Sequence, residues 1–151
     1  MTSVLLPVMY TAANTVTKTP ITVWNIDELQ TALSDDYTNI LIPSDTTVEI
    51  TSVITIENGV TLTVQGIINN KNVIHNWGTI ENWGTINTDN TFYNYPESTI
   101  NNISGGKINN NYGSTIHNDG TINNNPGSTI HNDGTIHNNK GTLTNNLHSA
   151  V

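Results

Sequence analysis

From residue 66 onward, single apolar residues recur every six to eight positions: Ile68, Ile74, Ile80, Ile86, Phe92, Ile100, Ile108, Ile116, Ile122, Ile130, Ile136 and Leu143. Each is followed two residues later by a polar residue, usually Asn, and then by a turn that often contains Gly. A six- to eight-residue step holds one short strand and one turn, far too little for a strand–helix–strand unit. One such repeat exposes one or two apolar side chains and cannot bury a core alone; stacked repeats can. The pattern therefore predicts an all-β, single-stranded parallel β-helix.

Taking the apolar positions three at a time gives Ile80 to Ile100, Ile100 to Ile122 and Ile122 to Leu143, steps of 20, 22 and 21 residues. Extended backward, Ile42, Leu62 and Ile80 continue the series at 20 and 18. A 14-residue duplication, Gly113–Thr121 and Gly127–Thr135, favours a two-sided coil instead, with a narrow interior. The three-sided coil of about 20 residues is the preferred reading. Six-residue steps suit either hand.

Upstream, Ile26 to Ser34 is the one good helix candidate. Asn25 can cap it, Asp27 and Glu28 fall in its first turn, and Ile26, Leu29 and Leu33 share a face. Strands are expected at Ile40-Leu41-Ile42, Val48–Ile50, Val53–Ile56 and Val60–Val64. The chain divides into an extended N-terminal arm (1–21), a capping-helix region (22–38), the β-helix (39–147) and a tail (148–151).

The three-sided register predicts columns. On the third side Ile74, Phe92, Ile116 and Ile136 point inward, so His75, Tyr93, His117 and His137 point outward, about 4.8 Å apart along the axis. The next residues, Asn76, Asn94, Asn118 and Asn138, form an inward ladder at the corner. A stacked amide is donor and acceptor at once, and Asn tolerates the backbone of a bend. Asn82, Asn102, Asn124 and Asn145 repeat the slot on the first side. Asn70, Asn110 and Asn132 repeat it on the second, with Thr88 as the exception.

Charge narrows the partners. The 151-residue chain carries a formal net charge of −8, and its four lysines are scattered at Lys18, Lys71, Lys107 and Lys140. Phosphate backbones and anionic membranes require clustered cations, so neither is expected. The absence of Cys rules out disulfides and thiolate metal sites. Val4–Met9 is too short to span a membrane and lacks a preceding basic region, so no secretory signal or transmembrane segment is expected.

Trp24–Leu33, Ile40–Ile42 and Val60–Gly66 together resemble the entry of pectate-lyase-like right-handed β-helices, where a short amphipathic helix caps the N-terminal end. That likeness implies right-handed winding. The Gly-Thr-Ile-x-Asn repeats, such as Gly78–Asn82, Gly120–Asn124 and Gly134–Asn138, are similar to low-complexity β-solenoid repeats of giant DNA viruses and virophages. This second likeness implies a particle- or fibre-associated protein made in a host cytoplasm.

Candidate chemistry is sparse. Lyases of the pectate-lyase-like class use acidic Ca²⁺ clusters with an Arg or Lys base, and this chain has no Arg. Asp119 and Asp133 are the candidate carboxylate pair, but each sits in Asn-Asp-Gly, a turn signature, and the three-sided register puts them on different sides. His75, His117 and His137 are weak metal candidates, because a flat ladder offers two ligands where a structural zinc site needs four. No cofactor is expected. Trp77, Trp83, Tyr93 and Tyr95 are candidate contacts for a glycan or another subunit. The expected function is a non-catalytic structural or adhesive scaffold, with carbohydrate binding as the alternative and polysaccharide degradation as a distant third. A helix covers one end and no equivalent is legible at the other, so a homo-oligomer, first of all a trimer, is expected.

Overall fold

A computed structural model describes residues 20–35 and 37–146. Within them the chain forms a right-handed parallel β-helix of about six turns with one short helix near its start. The expected arm lies outside the described residues up to position 19, and the expected tail lies wholly outside them. Ile21–Thr22, at the junction of arm and cap, pairs in parallel with Ile40 and Leu41 and so begins the first sheet.

The helix, α1, spans Ile26–Ser34 as its capping signal predicts. Asn25 and Glu28 form a reciprocal box: the Glu28 N–H donates to Asn25 Oδ1 at 2.9 Å, and Asn25 Nδ2 donates to Glu28 Oε1 at 2.8 Å. Leu29 and Ala32 are fully buried over the first coil, while Ile26 and Leu33 pack at its margin. The buried stripe is thus centred one position away from the face expected.

Sixteen further strands follow, and each pairs in parallel with the strand one coil away. The first side stacks Asn39–Ile42, Thr61–Val64, Thr79–Asn82, Thr99–Asn102, Thr121–Asn124 and Thr142–Asn145 below Ile21–Thr22. The second and third sides are sheets of five. The coil is three-sided, so the 14-residue duplication relates neighbouring sides rather than successive coils. Ile80, Ile100, Ile122 and Leu143 stack in register.

One register differs from expectation: Leu62 pairs with Ile40, not Ile42, and Ile42 pairs with Val64. Both isoleucines face inward, and a two-residue period cannot say which belongs to the centre of the side and which to the corner. The strand expected at Val53–Ile56 begins at Ile54, and that at Val60–Val64 begins at Thr61.

Step length follows from corner chemistry. Six-residue steps turn through two residues, the second being Gly at 66, 78, 84, 120 and 134 but Asn in Lys71-Asn72 and Asp89-Asn90. At Gly84 an added Cβ would stand 2.0 Å from the Gly66 carbonyl oxygen, so no side chain fits there. Eight-residue steps turn through four residues, as at Asn111–Ser114 and Asn125–Ser128, closed by an N–H to carbonyl bond of 3.0 Å in each. The left-handed position of these turns is Gly at 59, 105, 113 and 127, but Glu97, at φ 68°, takes it in Tyr95–Ser98.

Candidate functional site

The third side places His75, Tyr93, His117 and His137 in one outward column, each strand in register with the next. Their rings stack: His75 to Tyr93 at 5.3 Å between centroids, Tyr93 to His117 at 4.8 Å, and His117 to His137 at 5.1 Å. Interplanar angles of 9°, 8° and 22° make the rings nearly parallel plates. The spacing is that of the strands themselves, so the backbone ladder sets the stack.

Trp77 and Tyr95 follow Asn76 and Asn94 at the next corner. Their rings stack at 3.8 Å and 5°, the closest pair in the strip. Tyr95 also reaches back across the column, its hydroxyl 2.9 Å from His75 Nδ1. Burial holds the Tyr95 phenol above its ordinary value, and the neighbouring Tyr93 adds to the shift. The Tyr95 hydroxyl and His75 Nδ1 thus share one hydrogen bond, and which of the two donates follows the imidazole tautomer.

This arrangement has a chemical consequence. Ring faces in the column lie against other ring faces, and outward-facing edges carry the polar atoms. A sugar needs an open aromatic face: Tyr93 lies between His75 and His117, whereas Trp77, 43% exposed, has Tyr95 as its one ring partner among the described residues. Trp83 is elsewhere: it follows Asn82 at the corner after the first side, is 50% exposed, and has no ring partner among the described residues. Trp24, which the sequence reading passed over, is 56% exposed and likewise has no ring partner there.

The inward corner slots are ladders of amides. On the third side Asn76 Nδ2 donates to Asn94 Oδ1 at 2.7 Å, Asn94 to Asn118 at 2.8 Å, and Asn118 to Asn138 at 2.7 Å. The first side repeats this from Asn82 through Asn102 and Asn124 to Asn145. The same Nδ2 groups also reach strand carbonyls, as Asn94 does to Thr121 O at 3.1 Å. On the second side Thr88 interrupts the series: Asn110 donates to Asn132 at 2.8 Å, while Asn70 turns to Thr91 O at 3.1 Å.

Sequence reasoning missed three buried serines that complete the ladders. Ser98, Ser114 and Ser128 place their hydroxyls 2.8, 2.7 and 2.7 Å from the Oδ1 atoms of Asn94, Asn110 and Asn124. Their signal was the recurring Ser at the end of the four-residue turn, as in Asn-Pro-Gly-Ser.

Asp119 and Asp133 lie after strands of the third and second sides, respectively, and do not form a pair. Asp133 instead contacts exposed His131, Nε2 to Oδ2 at 3.0 Å. No three His, Asp or Glu side chains among the described residues converge as a ready metal-ligand set. Among them also, no helix is long and apolar enough to cross a membrane. No protein-family model matches the chain, and no curated protein or solved structure does either.

Proposed function

We propose that this chain is a non-catalytic structural or adhesive rod that works as a homo-oligomer, a trimer in the first instance. The supporting observation is where its polar chemistry goes. The buried amides hold coil to coil, the buried serines brace the turns within a coil, and the aromatic strip is stacked upon itself rather than arranged around a reacting group. A scaffold of this kind presents regular outward columns over its whole length, which suits lateral association or adhesion. Placement in a viral particle or fibre rests on the likeness of the Gly-Thr-Ile-x-Asn repeat alone. Size-exclusion chromatography with light scattering on the full chain tests the assembly: a trimer mass is the expected result, and a monomer at all concentrations would refute it.

A second reading has its own observation. Trp83 and Trp24 are half-exposed indoles without ring partners among the described residues, the state in which an indole can receive a sugar face. A glycan array separates the two readings. Binding lost in Trp83→Ala would establish the carbohydrate reading, and an array without hits would remove it.

A further inference from the structure

We propose that Asn58, in the turn Glu57–Val60, is a site of spontaneous deamidation, left open to attack by its own backbone in a fold that protects its other amides. The Val60 N–H donates to the Glu57 carbonyl at 3.0 Å and closes the turn. Gly59 holds the left-handed position at φ 83°, and a Cβ added there would meet nothing within 4 Å. Asn58 and Gly59 are both exposed. Neither the Asn58 side chain nor the Gly59 N–H has a hydrogen-bond partner among the described residues.

The chemistry needs only water. The Gly59 backbone nitrogen, its proton lost to solvent, attacks the Asn58 side-chain carbonyl carbon. A C–N bond forms, the side-chain nitrogen takes a proton from solvent and leaves as ammonia, and a succinimide ring closes. Water then adds to either ring carbonyl and breaks its bond to nitrogen. One opening leaves an aspartate at position 58. The other leaves an isoaspartate, whose backbone is one carbon longer. Ring closure demands backbone freedom in the residue that attacks, and glycine has the most.

The other asparagines are protected in ways the structure shows. In the whole chain only Asn58 is followed by Gly. Asn76, Asn82 and Asn94 are buried, and the N–H groups that would attack them are already used. Those of Trp77, Trp83 and Tyr95 donate to carbonyls of the preceding coil at 2.8, 2.8 and 3.0 Å. Asn125 precedes Pro126, which has no N–H. At exposed Asn90 the side-chain oxygen itself holds the Thr91 N–H, at 2.8 Å. Asp119-Gly120 and Asp133-Gly134 could close the same ring, but their glycine N–H groups donate to the Asn94 and Asn110 carbonyls at 3.1 and 3.0 Å.

The location gives the change a consequence. Glu57 lines a groove with Leu33 and Ser34, at the C-terminal turn of α1. A helix dipole disfavours further negative charge at that end. Either product adds one negative charge next to Glu57, in a chain that already carries −8.

Ageing the full chain in neutral and in mildly alkaline buffer, followed by peptide mapping with mass spectrometry, tests this. The expected result is conversion concentrated at position 58, as a mixture of aspartate and isoaspartate, and faster in the alkaline sample. That conversion should be lost in Asn58→Gln, whose longer side chain closes a less favourable ring, while the ladder asparagines stay amides throughout. Retention of the Asn58 amide in the folded chain would overturn the proposal, as would conversion that begins at a ladder asparagine or ring closure that begins at Asp119 or Asp133.

Discussion

The first coils and the later ones have the same backbone but fill the same corner slot with opposite chemistry. Early on, the slot holds Ile42 and Val64 on the first side, Ile50 on the second and Ile56 on the third, all buried. Later it holds Asn82, Asn70 and Asn76, and the ladders run from there. The switch leaves a signature. Asn76 Oδ1 and Asn82 Oδ1 are buried without a hydrogen-bond partner, because the coil that would donate to them carries Ile56 and Val64. Thr88 Oγ1, where the second ladder breaks, is another such oxygen. An apolar slot is satisfied alone, whereas an amide slot is satisfied only by its neighbour. The apolar coils lie under α1 at the end where a column must begin, and the amide coils lie where the column can continue.

The largest effect should come from breaking a ladder in its middle. Asn94→Leu deprives Asn76 Nδ2 of its short acceptor and both Asn118 Oδ1 and the Thr121 carbonyl of a donor, while the Ser98 hydroxyl keeps the Tyr95 carbonyl. Orphaned buried groups cost about 1–3 kcal/mol each, so a loss of about 3–5 kcal/mol is expected in urea unfolding.

Moving the boundary tests the comparison more finely. Ile56→Asn places an amide beside the unpartnered Asn76 Oδ1, whereas Ile42→Asn meets Val64. Both should destabilise, but Ile56→Asn by about 1–2 kcal/mol less, the difference being one satisfied acceptor. Equal losses would mean that the ladder does not extend upward. Thr88→Asn should have the opposite sign, joining Asn70 to Asn110 and stabilising the fold by about 1 kcal/mol.

A smaller gain is expected at Glu97, which occupies a left-handed position that glycine holds in four other turns. Glu97→Gly relieves about 1 kcal/mol of strain, partly offset by the greater freedom of the unfolded chain.

The smallest effect is on the surface. A hydrogen bond from Asn69, and then the Lys71 ammonium, hold the Glu49 carboxyl below its ordinary value of 4.5. Its contribution is therefore present above that value and lost as pH falls through the lower folded value. Lys71, raised by the same Glu49 contact, keeps its contribution until pH rises through its folded value, above 10.5. Both side chains are well exposed, so solvent screens the pair. Glu49→Gln should destabilise slightly at neutral pH, and the difference from wild type should close in acid.

Much of this was legible in residue order. The isoleucine steps gave the inward column, and the Asn that follows two residues later gave the ladders and the outward His–Tyr column between them. The legibility stopped at corners. Ile40 and Ile42 are both inward and both apolar, so the sequence offers no means of assigning one to the slot that Asn82 later occupies. The Trp77–Tyr95 stack and the Tyr95–His75 bond depend on how corner side chains lean between coils, which alternation along a strand does not specify. Trp83 stands in the same Asn-Trp-Gly context as Trp77 and still finds no aromatic neighbour among the described residues. The residue one coil on decides this: Tyr95 above Trp77, but Ile103 above Trp83.

The three-sided stack is the claim on which both the ladders and the outward ring column depend, and the absence of cysteine makes it directly testable. Two double-cysteine variants that share position 131 can be oxidised side by side. Asn109→Cys/His131→Cys joins register neighbours on the second side, about 4.8 Å apart and within disulfide reach. His117→Cys/His131→Cys joins residues that the 14-residue duplication would stack in a two-sided coil. The account predicts an intramolecular disulfide in the first and none in the second; the reverse outcome would contradict it.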